Sequence, residues 1–141
     1  MVTAMVDNAD ERVARWRYVV PNAITSFSLL VGVMATFKAT QGLFVEAGWL
    51  IVLCVLLDKL DGTAARMLNA SSEFGMQLDS FADLVAFGIA PGMTAFCYVS
   101  TDPSGFFAWW HSPGGNIALH AMVGVYIVGA CLRLAKFNVM T

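Results

Sequence analysis

Four aspartates, Asp58, Asp61, Asp79 and Asp83, interrupt two otherwise apolar stretches of the sequence. At membrane depth a carboxylate costs roughly 2.5–3.5 kcal/mol on insertion scales. Four without partners would cost on the order of 10–14 kcal/mol, as much as the whole stability of an ordinary domain. A positive partner is therefore required. Lys59 and Arg66 are the only basic side chains close to them in sequence, and two charges do not neutralise four. Divalent cations that prefer oxygen ligands, Mg²⁺ or Mn²⁺, are the remaining class of partner.

The spacing points the same way. Asp58, Asp61 and Ala65 stand at i, i+3 and i+7 and share one helix face, with Gly62 and Arg66 beside it. Gly75, Asp79 and Asp83 are spaced by four and share another. Two antiparallel helices joined by a tight loop can bring these faces together around one cation, or around two a few ångströms apart. Gly62, Ala65 and Gly75 leave room for a bulky ligand, and Arg66 can meet a phosphate with paired donors. An intramembrane carrier of divalent cations or protons is the alternative from another class. Its path would have to continue to the other face, yet helix two before Asp58 and helix three beyond Asp83 offer no acid except Glu46.

The elements that must hold these residues follow from composition. The chain has 141 residues, 58% hydrophobic and 13% charged, with mean hydropathy +0.69. That excludes an ordinary soluble domain and predicts an all-α, polytopic transmembrane bundle. Four apolar runs are near the ~20 residues a span needs: about 19–39, 44–67, 76–99 and 117–137. Residues 10–20 read as a short amphipathic helix lying on the membrane surface. The expected organisation is an interfacial segment, 1–20, and a membrane domain, 21–141. No cleavable signal peptide is expected, since the first 20 residues lack an apolar core.

Loop signals and charge set the orientation. Ser71 and Ser72 are candidate N-caps for the third helix. Phe106, Phe107, Trp109 and Trp110 in the 101–116 loop read as an interfacial aromatic belt. Arg12, Arg15, Arg17, Arg66, Arg133 and Lys136 lie at one set of helix ends, while only Lys38 lies at the other. The N-terminus and the 67–76 loop are therefore expected in the cytoplasm, with the aspartates opening toward it. A cytoplasmic loop makes the sequon Asn69-Ala70-Ser71 irrelevant. Cys54, Cys97 and Cys131 lack metal-type spacing and read as buried small hydrophobes. Pro91, between Gly88 and Gly92, reads as a kink beside a close helix contact. His111 and His120 receive no role.

The pattern Asp58-x2-Asp61-Gly62-x2-Ala65-Arg66-x8-Gly75-x3-Asp79-x3-Asp83 resembles the CDP-alcohol phosphotransferase signature at all eight of its fixed positions. Pro21-Asn22-Ala23-Ile24-Thr25 opens the first membrane helix as in many members. Ala86-Phe87-Gly88-Ile89-Ala90-Pro91 and Leu132-Arg133-Leu134-Ala135-Lys136-Phe137-Asn138 look like the phosphatidylserine synthase branch, whose usual form has arginine where this chain has Lys136. The resemblance runs from Pro21 to Asn138.

It implies a membrane enzyme of phospholipid biosynthesis, a CDP-diacylglycerol–serine O-phosphatidyltransferase. Such an enzyme passes a phosphatidyl group from CDP-diacylglycerol to serine and releases CMP. The resemblance carries metal binding to Asp58, Asp61 and Asp79, and both metal contact and the catalytic-base role to Asp83. Gly62, Ala65, Arg66 and Gly75 map onto nucleotide-binding positions. Asn22 and Thr25 are candidates for touching the nucleotide, with helix capping as the plain alternative for Asn22. Arg133 and Asn138 are candidates for the serine carboxylate or the lipid phosphate, with positive-inside anchoring as the alternative. Mg²⁺ or Mn²⁺, two ions together, membrane lipid and a homodimeric assembly are the implied cofactors and partners, with no nucleic acid. Sibling enzymes that use glycerol phosphate or inositol phosphate share the signature, and a fragment that binds CDP-lipid without turnover would share it too. The family usually has about six membrane helices, so a C-terminal pair is expected to be missing from these four.

Overall fold

A computed structural model of the chain describes residues 2–68, 72–101 and 107–140, with side chains for 19–68, 72–101, 107–136 and 139. Asn69, Ala70, Ser71, Pro103, Gly105 and Phe106 lie outside the described residues. So do the side chains of Arg12, Arg15, Arg17 and Asn138.

The described chain is helical and contains no strand among its described residues. Helix α1 spans Val2–Thr40, α2 Phe44–Met67, α3 Glu73–Asp83, α4 Ala90–Thr101 and α5 Pro113–Met140. A π turn, Leu84–Ile89, joins α3 to α4, and a 3-10 turn, Ala108–His111, precedes α5. Among the described residues, three helical stretches are long and apolar enough to cross a membrane: Val19–Thr40, Glu73–Thr101 and Pro113–Lys136. Helix α2 carries Glu46, Asp58, Lys59, Asp61 and Arg66, too many charges to qualify by composition. It nevertheless packs along α1 as its antiparallel partner.

Two sequence expectations are corrected. Residues 10–20 are not a separate interfacial helix, because α1 runs unbroken from Val2 to Thr40. For the same reason Pro21 and Asn22 do not open a helix; Pro21 lies inside α1. A proline removes one ladder hydrogen bond, but abandoning helix in apolar surroundings would strand many backbone groups.

Each turn is built from local rules. At the end of α1 the Leu43 N–H reaches the Lys38 carbonyl and the Gly42 N–H reaches that of Ala39, both at 3.0 Å. This is a Schellman close, and it needs the positive φ of 77° that Gly42 supplies. Lys38 and Glu46 pair across the turn at 2.7 Å. At the start of α3, Ser72 is extended and its hydroxyl accepts the Gly75 N–H at 3.0 Å. It thereby satisfies one of the otherwise unpaired first-turn donors.

The interior is made of small residues. Ala35, Ala39, Ala47, Cys54 and Ala90 are completely buried. Val31, Cys54 and Ala86 form the central cluster, flanked by Leu50 and Leu57. A methyl group on Gly32 would lie 2.9 Å from Val85, so α1 and the π turn meet almost backbone to backbone. Large apolar side chains such as Leu30, Trp49, Ile117, Val125 and Leu132 point outward. Small residues inside and large ones outside suit a bundle whose surroundings are themselves apolar.

Candidate metal and phosphate site

Three helices meet where the signature residues converge. Helix α1 brings Asn22 and Thr25, one turn apart. Helix α2 brings Asp58, Asp61, Gly62 and Ala65, and α3 brings Gly75 and Asp79. One oxygen from each of Asp58, Asp61 and Asp79 falls within 4.8 Å of the others. Asp83 adjoins Asp58 but stands outside that set of three.

Asp61 is the most constrained member, only 4% exposed. Its Oδ2 lies 2.7 Å from the Thr25 hydroxyl, which also lies 3.0 Å from the Pro21 carbonyl oxygen. The hydroxyl has one proton, and the shorter distance favours donation to the carboxylate. Oδ1 of Asp61 is buried with no hydrogen-bond partner among the described residues. Lys59 and Arg66 are exposed, and among the described residues no basic side chain forms an ion pair with the four aspartates.

A buried Asp61 with one unpaired carboxylate oxygen, close to two further carboxylates, fits a hard divalent cation. Six oxygens about 2.1 Å from a Mg²⁺ are at most roughly 4.2 Å apart. Three carboxylate oxygens within 4.8 Å of one another are close enough for side-chain adjustment to draw them onto one ion. Two ions about 4 Å apart would also span them.

Beside the carboxylates lies an open pocket of about 110 Å³, lined by Asn22, Thr25, Asp61, Gly62, Ala65, Ser72, Gly75, Met76 and Asp79, with Pro21 at its edge. The glycines serve differently. A methyl on Gly62 would meet only Arg66, at 3.9 Å, so its absence leaves space for a ligand. A methyl on Gly75 would lie 2.9 Å from the Asn22 Oδ1 and 3.0 Å from the Ser72 hydroxyl. Its absence lets α1 and α3 approach, and the room expected there for a ligand is already filled. Arg66 does not line the pocket. Its Nε donates to the Gly62 carbonyl at 3.1 Å, which holds the guanidinium near the rim. Asn22 caps no helix and faces the pocket.

A second cavity, about 950 Å³, lies between α5 and the π turn. Asp83 and Arg133 both line it, with Phe87, Pro91, Tyr126 and Leu134 among its apolar walls. The structure thus brings Arg133 to the compartment of Asp83, away from the smaller pocket. Tyr126 was not singled out from sequence, although it stands one heptad before Arg133 and so shares its helix face. His120 packs on Phe96 at 4.7 Å and stays outside both compartments.

Comparison with known proteins agrees with the signature. Residues 18–140 match the family model described as CDP-alcohol phosphatidyltransferase. The chain is 38% identical over 124 residues to a CDP-diacylglycerol–serine O-phosphatidyltransferase of Helicobacter pylori, covering 88% of this chain and 47% of the relative. It is 34% identical over 127 residues to the enzyme of that name from Bacillus subtilis, covering 85% and 61%. The Methanocaldococcus jannaschii protein of that name is 29% identical over 117 residues, covering 83% and 47%. The chain therefore spans about half the length of the curated relatives it matches. No solved structure gives a significant match.

Proposed function

The chain belongs to the CDP-alcohol phosphatidyltransferase family, and from that premise we propose that it makes phosphatidylserine. It would transfer the phosphatidyl group of CDP-diacylglycerol to the hydroxyl of serine and release CMP. The observation that carries this reading is the convergence of Asp58, Asp61 and Asp79, with an unpaired buried oxygen on Asp61 and no basic partner among the described residues. The choice of serine rests on the names of the relatives.

Asp58, Asp61 and Asp79 would hold Mg²⁺ or Mn²⁺, two ions in the full site, with Asp83 reaching them through Asp58. Bound there, the metal would offset the charge of the donor pyrophosphate, polarise its phosphoryl oxygens and stabilise departing CMP. Asn22, Gly62 and Ala65 border the volume assigned to the nucleotide and its phosphates, Arg66 is held beside it on the Gly62 carbonyl, and Gly75 sets its depth. Thr25 lines the same pocket and also orients Asp61 through its hydroxyl. Asp83 faces the larger cavity, where an acceptor hydroxyl can approach it. As the serine oxygen attacks the phosphorus that bears the diacylglycerol oxygen, its proton passes to the Asp83 carboxylate. The new bond joins serine oxygen to phosphorus, and the bond that breaks joins phosphorus to the oxygen that leaves with CMP. Arg133, in the same cavity, supplies a cation for the serine carboxylate or the lipid phosphate; Asn138 is proposed beside it from its place in the sequence alone. The site opens to the cytoplasm, as the placement of lysine and arginine implies.

The test is CMP release from CDP-diacylglycerol by detergent-purified protein with Mg²⁺ or Mn²⁺. Acceptors would include serine, glycerol phosphate and inositol phosphate. Serine-dependent release that falls about 10²–10⁴-fold in Asp83→Asn is expected of a lost general base. Release with another acceptor only would reassign the substrate. Metal-dependent CDP-lipid binding without release would leave a binding module. A chiral thiophosphate donor should be inverted, and retention would replace direct displacement with a covalent intermediate.

A further inference from the structure

Phe87 and Pro91 are four residues apart, the spacing at which a helical carbonyl receives its N–H. Pro91 has no N–H to give, and a proline ring in a regular helix crowds the carbonyl four residues back. The helix widens at this place. Residues Leu84–Ile89 form the π turn, and the Ala90 N–H reaches the Val85 carbonyl, five residues back. The Phe87 carbonyl is met from another helix: the Tyr126 hydroxyl on α5 donates to it at 2.7 Å. Close packing supports the bond. A methyl on Gly88 would be 3.4 Å from Ala130, and one on Gly92 would be 3.4 Å from Tyr126 and Ile127.

The widened turn begins at the residue after Asp83. One extra residue in a turn rotates the helix before it against the helix after it by about 100°, given 3.6 residues per turn. That rotation allows Asp83 to adjoin Asp58 while Gly88 and Gly92 face α5. A regular α-helix would sacrifice one of these two contacts.

We propose that Tyr126 is a positioning residue, whose hydrogen bond to the Phe87 carbonyl holds the π turn and thereby aims Asp83 at the other carboxylates. This rests on the transferase reading for its turnover measurement but not for its metal measurement. The experiment is a double-mutant cycle on the full chain in detergent: wild type, Tyr126→Phe, Pro91→Ala and the pair. Each is assayed for Mn²⁺ affinity, melting temperature, and kcat and KM of CMP release. Tyr126→Phe alone should lower kcat up to about tenfold, the effect of one net hydrogen bond. It should weaken Mn²⁺ binding several-fold, with KM for CDP-diacylglycerol and melting temperature close to wild type. In the Pro91→Ala background residue 91 regains an N–H for the Phe87 carbonyl, and the same change should cost less than about twofold. Equal losses in both backgrounds would put the hydroxyl directly on substrate and overturn the proposal. So would no loss of kcat or Mn²⁺ affinity in Tyr126→Phe. If wild type releases no CMP with any acceptor, the transferase reading fails, and the Mn²⁺ cycle alone still decides the role of Tyr126.

Discussion

Asp61 is the most buried of the four aspartates. One of its oxygens is satisfied by Thr25 and the other by nothing among the described residues. An ionised group so buried is costly until a cation arrives. Asp61→Asn keeps the volume but removes the charge, and should abolish measurable Mn²⁺ binding in a calorimetric titration. Thr25→Val removes the hydroxyl that orients Asp61 and should weaken Mn²⁺ about 10–100-fold, the usual effect of losing a partner behind a ligand. Thr25→Ser should retain most of the affinity, which would separate the hydroxyl from the methyl group. The aspartates were legible because charges are rare in apolar runs. The role of Thr25 was not, since a threonine in a membrane helix commonly bonds to its own backbone, as Thr36 and Thr94 do here.

At the scale of elements, the site depends on how closely helices approach. Gly75→Ala places a methyl against Asn22 and Ser72, so it should push α1 from α3 and lower both melting temperature and activity. Gly62→Ala meets open space. It should leave the melting temperature nearly unchanged while raising the KM for CDP-diacylglycerol. If the two changes behave alike, the distinction between a packing glycine and a clearing glycine is wrong. Both glycines belong to one motif, and spacing does not say which faces a helix and which faces a cavity. The π turn was similarly hidden. Pro91 marked a disturbance, but only the neighbouring α5 decides that the Phe87 carbonyl finds Tyr126.

For the whole molecule, the outward placement of bulky apolar side chains makes lipid or detergent the necessary surroundings. Helix α5 is largely exposed among its described residues, with Ile117 72% and Val125 73% accessible. A homodimer, as the resemblance implies, could cover part of that face, and crosslinking in detergent would detect it. Orientation has a direct measurement. Glu73→Cys, on the loop side of the site, should react with a membrane-impermeant thiol reagent only from the cytoplasmic face, in a background with the three native cysteines replaced. Bound metal should also raise the global melting temperature. A hundredfold excess over Kd contributes about 2.7 kcal/mol, and Asp61→Asn should lose that shift.

The order of residues was enough to establish the helical membrane class and the family and to single out the aspartates as candidate cation ligands, because hydropathy and i, i+3, i+4 spacing are local properties. It also marked Ser71 and Ser72 as candidate N-caps, and Ser72 caps α3, since capping chemistry is local too. Packing in three dimensions was needed to show that α1 is one rod, because the hydrogen bonds of an apolar segment favour continuity across Pro21. It separated Asp83 and Arg133 from the smaller pocket, bonded Thr25 to Asp61, and paired Tyr126 with the Phe87 carbonyl, four residues before Pro91. Those outcomes depend on the distance and rotation between helices, which are set by contacts among residues far apart in the chain.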